Sequence, residues 1–124
     1  MDKIKIVDLE VYANHGVFPE ENVLGQKFLV SLTLYTKTKK AGQTDALEDS
    51  IDYGTICHSV SEYMKTNTSK LIETVAEGIA KDLLYQHALL ERVKVEVKKP
   101  WAPIGLPVSY VSVVIKRSHK DYKW

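Results

Sequence analysis

Two side chains in this sequence combine suitable chemistry with suitable placement to act on a polar ligand, Glu73 and Lys99, while Tyr53 and Glu21 carry weaker signals on their own. Glu73 falls in the first turn of an expected helix, beside the apolar Leu71, Ile72 and Val75. A carboxylate there complements the helix dipole, and it can also accept two parallel N–H donors in a bidentate pair. The amide of Ile72, at the same helix start, could add a donor. Lys99 continues the strand parity of Val93, Val95 and Val97, which aims it at the apolar face, whereas Lys98 shares the parity of Lys94 and Glu96 and should be solvated. A lysine so placed either snorkels to water or stays partly desolvated, and a desolvated lysine yields its proton more readily. Tyr53 opens a helical apolar stripe, where an aromatic serves the core or a site. Glu21, in Pro19-Glu20-Glu21-Asn22, reads alone as a solvated charge, and His15 before Gly16 as a turn histidine.

Other chemistries have less support. The histidines are His15, His58, His87 and His119, and Cys57 is the one thiol. Cys57 and His58 are neighbours on a helix and diverge, and no HExxH or CxxC spacing occurs, so neither a metal nor a cofactor is expected. Gly42 and Gly54 are isolated, which gives no phosphate-binding loop. A net charge of +1 leaves no overall electrostatic footprint for nucleic acid or a membrane surface. The expected partners are a small molecule and further copies of the same chain. The Met1–Ile6 start lacks a signal peptide's apolar run, and a lone cysteine forms no internal disulfide, so the expected location is cytoplasmic.

The elements that would position these residues follow from periodicity. Ile4 to Tyr12 reads as a strand whose alternation breaks: Ile4 and Ile6 share one parity, Val7, Leu9 and Val11 the other. A bulge near Ile6–Val7 reconciles them. Pro19 to Gly25 reads as a loop. Lys27 to Thr38 is a long strand with Phe28, Val30, Leu32 and Leu34 on one face. Ala41 to Ser50 is a polar surface connection. Asp52 sits as N-cap to a helix whose stripe is Tyr53, Ile56, Cys57, Val60, Tyr63 and Met64. A polar break at Thr66–Ser69 precedes a second helix, with a stripe from Leu71 to Leu84. Val93–Val97 and Val111–Ile115 alternate as two closing strands. The order predicts an α+β domain over residues 1–118, a four-stranded antiparallel sheet with two helices on one face, and a ragged polar tail at 119–124. Its sheet edges would be covered by assembly into a ring.

Over about residues 3 to 117 the chain resembles the dihydroneopterin aldolase family. The matching pieces are Asn14-His15-Gly16-Val17, Glu20-Glu21-Asn22 leading to Leu24-Gly25-Gln26-Lys27-Phe28, Asp52-Tyr53-Gly54, Leu71-Ile72-Glu73 with Ala76-Glu77, and Lys98-Lys99-Pro100 with Pro103-Ile104. It departs from the family at Ile104-Gly105-Leu106-Pro107, where relatives carry Ile-Pro-Gly. The resemblance implies the tunnelling fold, in which subunit sheets join into a barrel, here a tetrameric ring stacked as an octamer with sites between neighbouring chains. It implies Glu73 as the pterin-binding carboxylate with the Ile72 amide beside it, Lys99 as the catalytic lysine, Tyr53 supplied by the adjacent subunit, and Glu21 as the loop glutamate.

The implied reaction is a retro-aldol cleavage of 7,8-dihydroneopterin in folate biosynthesis. Removing the C2′ hydroxyl proton drives electrons from the C1′–C2′ bond toward the C6–N5 imine. The substrate is thus its own electron sink, with no Schiff base or metal required. Glycolaldehyde leaves and 6-hydroxymethyl-7,8-dihydropterin remains. Reversal at the other face would epimerise C2′ as a side activity. The alternatives are a dihydroneopterin triphosphate epimerase, which needs further cationic contacts, and a non-catalytic pterin binder.

Overall fold

The computed structural model describes all 124 residues. Four strands, β1 (Asp2–Ala13), β2 (Gln26–Thr36), β3 (Arg92–Lys99) and β4 (Val111–Ser118), form one antiparallel sheet in the order β1-β2-β3-β4. Two long helices, α3 (Tyr53–Thr66) and α4 (Ile72–Gln86), enter between β2 and β3 and close one face of the sheet. The other face bears no helix, as the α+β reading requires.

β2 shows why. Gln26, Phe28, Val30, Leu32, Leu34 and Thr36 are all buried, and the residues between them only half-buried. This is the period-2 pattern of a strand with one dry face. Val93, Val95 and Val97 continue that face on β3, and Ile56, Val60, Met64, Val75, Ile79 and Leu83 meet it from the helices.

The irregular alternation of β1 is resolved by a bulge. Ile6 pairs with Leu32 and Leu9 with Val30, so Val7 and Asp8 share the place of one residue. Asp8 takes a left-handed φ of 55°, and its N–H donates to Ser31 Oγ at 3.0 Å. The extra residue puts Ile4, Ile6, Leu9 and Val11 on one side and leaves Val7 exposed. Asp52 caps α3, accepting from the amides of Gly54 and Thr55, a bond type worth about 1 kcal/mol.

Four expectations need correction. Pro19–Leu24 is a short helix, α1, because Pro19 occupies its first turn and Glu20 and Glu21 complement its dipole. The connection after β2 is on the surface as expected, but it contains a helical turn, α2 (Lys39–Thr44), and a 3₁₀ turn at Leu47–Asp49. Tyr53 does not join the core stripe of α3 and is 64% exposed. The end of the chain is ordered: a 3₁₀ turn at His119–Asp121 leads into Tyr122, whose hydroxyl donates to Glu77 Oε2 at 2.7 Å. Trp124 then packs against the rings of Tyr85, His119 and Tyr122.

Candidate active site

The C-terminal end of β3, the start of α4 and the α1 turn meet at one corner of the sheet. Between them lies a cleft of about 250 Å³ lined by Glu21, Ile72, Glu73 and Lys99, with Val17, Phe18, Leu71 and Ile104 among its apolar walls. Four of the five residues singled out from sequence are therefore together. A larger hollow, about 610 Å³, runs over the polar flanks of α3 and α4 and touches none of them.

Lys99 obeys the strand parity and points to the helix side. There it does not snorkel to water; its Nζ lies 2.5 Å from Glu21 Oε2, with 13% of the lysine side chain and 9% of the glutamate's exposed. Glu21 is consequently not the solvated charge its local sequence suggests. Its Oε1 accepts from the N–H of Phe18 at 3.2 Å and its Oε2 from Gln26 Nε2 at 2.9 Å. Burial alone would push the Glu21 carboxyl up, but the Lys99 ammonium, the Phe18 amide and Gln26 together hold it below the ordinary carboxylate range.

Gly16 makes room for this carboxylate. Its φ is +154°, and a Cβ there would stand 2.3 Å from the Glu21 carboxyl carbon. The turn that carries it is fastened to α1, since Asn22 Nδ2 donates to the carbonyls of Asn14 and Gly16, and Asn14 Nδ2 donates back to that of Asn22. The same turn fixes the approach to α4. Gly16 N–H donates to the Ser69 carbonyl at 2.9 Å, and Ser69 N–H donates to His15 Nδ1 at 3.0 Å. His15 is fully buried with its ring edge-on to Phe28. Burial pushes its pKa down, Met64's carbonyl opposing and Lys99 adding to the fall, so the ring is a neutral strut with Nδ1 as acceptor.

At the head of α4, Leu71 supplies no side-chain cap, which leaves first-turn amides free beside the cleft. Glu73 is exposed and accepts no hydrogen bond from its own chain. An uncapped helix start next to a free carboxylate presents one donor and two acceptors in a row. That set matches a flat heterocycle edge with a carbonyl, a ring N–H and an amino group.

Tyr53 is not in this cleft; it stands exposed at the start of α3. Lys98 is not freely solvated either. Its Nζ lies 2.7 Å from Asp8 Oδ1, which the bulge presents, and 5.1 Å from the centre of the Tyr110 ring. Sequence reasoning assigned no role to Gln26 or Gly16. Gln26 shares parity with Phe28 and Val30, and that was its signal; for Gly16 only the fold reveals the carboxylate beneath it. No three histidine, cysteine, aspartate or glutamate side chains converge as a metal-binding group.

A family model described as FolB, dihydroneopterin aldolase, matches residues 4–116. The dihydroneopterin aldolase of Bacillus subtilis is 42% identical over 120 residues, 97% of this chain and 98% of its own. That of Streptomyces coelicolor is 39% identical over 118 residues, 95% and 98% of the two chains. Among solved structures, Escherichia coli dihydroneopterin aldolase in complex with neopterin superposes with a TM-score of 0.88 at 28% identity, covering 95% of this chain and 100% of that one.

Proposed function

Since the chain belongs to the dihydroneopterin aldolase family, we propose that it cleaves 7,8-dihydroneopterin in the cleft beside Lys99, to 6-hydroxymethyl-7,8-dihydropterin and glycolaldehyde. It is an enzyme, a carbon–carbon lyase, and its small-molecule partner is a pterin. The observation that carries the assignment of residues is the convergence of Glu21, Ile72, Glu73 and Lys99 on one cleft.

Glu73 accepts the pterin's amino and ring N–H groups, and the Ile72 amide donates to the pterin carbonyl. This edge-on grip directs the side chain of the substrate toward Lys99 and Glu21. Lys99 moves the C2′ hydroxyl proton through an ordered water, and Glu21 fixes both the lysine and that water. The C1′–C2′ bond breaks, its electrons enter the C6–N5 system, and glycolaldehyde departs. Tyr53 stacks on or protonates the enol-like intermediate at C1′. One proton leaves the hydroxyl and one reaches carbon, so the cycle closes without any other reactant, and neither a Schiff base nor a metal takes part. Return of the aldehyde to its other face gives the C2′ epimer as a side product.

Tyr53 reaches the cleft from a neighbouring subunit in this reading. Three features support it: the phenol is exposed and uncommitted in its own chain; β1 and β4 are open sheet edges; and unpaired edges favour closure into a ring. A tetrameric ring, stacked as an octamer, meets those conditions. The reading also places the protein in the cytoplasm, in keeping with its free Cys57.

The test is to incubate purified protein with 7,8-dihydroneopterin in the presence of a chelator and to follow 6-hydroxymethyl-7,8-dihydropterin and glycolaldehyde. Both products should appear with chelator present. Pterin binding without turnover, or epimerised substrate alone, would replace the aldolase reading with a binder or an epimerase.

A further inference from the structure

The near-zero net charge of the chain conceals a one-sided distribution. On the sheet face turned away from α3 and α4, one cross-strand row runs Lys3, Tyr35, Arg92, Ser118, and the next runs Lys5, Thr33, Lys94, Lys116. Neither row contains a carboxylate. The chain's ion pairs are Lys40–Asp49, Lys98–Asp8, Lys99–Glu21 and Arg117–Glu77, so none of these five cations has a carboxylate oxygen within 4.0 Å. The acids of this face, Asp8, Glu10 and Glu96, stand in the rows beyond, and Asp8 is taken by Lys98.

The arrangement is unfavourable without a counter-ion. Lys94 and Lys116 are direct partners across β3 and β4, and like charges so opposed destabilise a sheet. Lys3 and Lys116 both reach over the Tyr35 ring, at 5.6 and 4.6 Å from its centre. At the sheet's end a hollow of about 280 Å³ is lined by Arg92, Lys116, Arg117, Ser118, Lys120 and Asp121, none of them apolar. Arg117 is engaged by Glu77, and Asp121 accepts from the N–H of Ser118. Arg92, Lys116 and Lys120 are left to a ligand, with the Asp121 carboxylate the one acid beside them.

We propose that this end of the open sheet face is a binding site for an oligophosphate anion of diphosphate to triphosphate size, contacted by Arg92, Lys94, Lys116 and Lys120. Size favours a chain of phosphoryl groups over a single one, since the rows of Arg92 and of Lys94 with Lys116 lie about 7 Å apart and Lys120 stands beyond the end of β4. Arg92 and Lys99 occupy opposite ends of β3, roughly 23 Å apart, so the site is separate from the pterin cleft.

Calorimetric titration of the full-length protein with sodium tripolyphosphate, ATP and inorganic phosphate, at matched ionic strength, tests the site. Tripolyphosphate should bind saturably and at least tenfold tighter than inorganic phosphate. Equal affinity for ATP supports recognition of the phosphate chain alone, and tighter ATP binding identifies a nucleotide as its source. The double variant Lys94→Gln/Lys116→Gln should lose tenfold or more in affinity while dihydroneopterin cleavage stays at the wild-type rate, which also certifies its fold. Three results would each overturn the proposal: tripolyphosphate no tighter than phosphate, undiminished binding by the double variant, or tighter binding to a polyglutamate peptide or an oligonucleotide than to tripolyphosphate.

Discussion

Lys99 Nζ and Glu21 Oε2 lie 2.5 Å apart, joining the end of β3 to the first turn of α1 at one wall of the cleft. Each residue explains the other's position: the lysine is kept from snorkelling, and the glutamate is kept ionised under little solvent. The pair therefore links local packing and pH response to the proposed proton transfer, and one substitution should disturb all three.

Lys99→Ala should lower kcat by about 100-fold or more, in the range of a lost proton-transfer group, with a smaller effect on KM. The variant should also be less stable by about 1–3 kcal/mol at neutral pH, because it leaves Glu21 without its cation under a thin protein cover. The sign of the pH effect follows from Glu21, whose carboxyl sits lower in the folded chain than its ordinary 4.5. The pair's contribution is full above that ordinary value and disappears as pH falls through the lower folded one. Denaturation midpoints of both proteins across the acid range should converge as pH drops. A stability gap that stays constant from neutral pH down to acid would detach the ion pair from Glu21's titration.

Glu73→Gln should act on binding. Glu73 is exposed and free of partners in its own chain, so stability should change by only a few tenths of a kcal/mol, the scale of a helix-dipole contact. Losing a charged acceptor for two donors should raise the pterin Kd by roughly 10- to 100-fold, corresponding to about 1.5–3 kcal/mol. Equilibrium binding of neopterin alongside steady-state kinetics separates the two effects. An unchanged Kd would remove Glu73 from the pterin-binding edge.

Gly16→Ala tests the floor beneath the ion pair. The new methyl would meet the Glu21 carboxyl carbon at 2.3 Å from a backbone with φ of +154°, so either Glu21 or the whole turn must shift. A destabilisation of about 2–4 kcal/mol is expected from strain and overpacking together, with activity falling even where the variant is fully folded. Urea titration and the turnover of the folded fraction measure both. A variant with wild-type turnover would show that the Glu21 position has slack.

What could be read from sequence was what local rules determine. Strand parity placed Lys99 on the helix side, the break in alternation located the bulge before Asp8, and the position of Asp52 identified the cap of α3. Contacts made across the fold were not readable in that way. Glu21 looks solvated until α1 docks under Gly16 and meets Lys99, and the final residues look ragged until Tyr122 finds Glu77. Tyr53 fits the period of α3 but lies before the helix passes over the sheet, so periodicity alone assigned it to the core. Lys94 and Lys116 needed the β3–β4 register before their opposition was visible.

Tyr122→Phe should loosen the end of the chain without touching the cleft. The hydroxyl donates to Glu77 Oε2 at 2.7 Å while Arg117 holds Oε1. Burial, followed by Glu77, pushes the tyrosine's own pKa well up, so it remains a donor throughout the working range. Losing one half-exposed bond to a charged acceptor should cost about 1 kcal/mol. Amide exchange should quicken at residues 119–124 while cleavage kinetics stay unchanged. Identical exchange in wild type and variant would mean that the aromatic packing of Trp124 anchors the segment by itself.

The sharpest test of a shared site uses two inactive proteins. Tyr53 is exposed at the head of α3 and absent from the lining of its own cleft, which holds Lys99. If every active site combines Lys99 of one subunit with Tyr53 of the next, Lys99→Ala and Tyr53→Ala subunits fail separately but complement when mixed. Random assembly of equal amounts leaves about one quarter of sites with both native residues, since each is present with a chance of one half at a closed ring's interface. Unfolding and refolding the two variants together should therefore restore roughly a quarter of wild-type activity, while each refolded alone stays inactive. Recovery should require mixing before assembly and vanish when preformed oligomers are combined cold. No recovery in co-refolded oligomers shown to contain both variants would place Tyr53 and Lys99 in the same chain's site, or take Tyr53 out of the reaction.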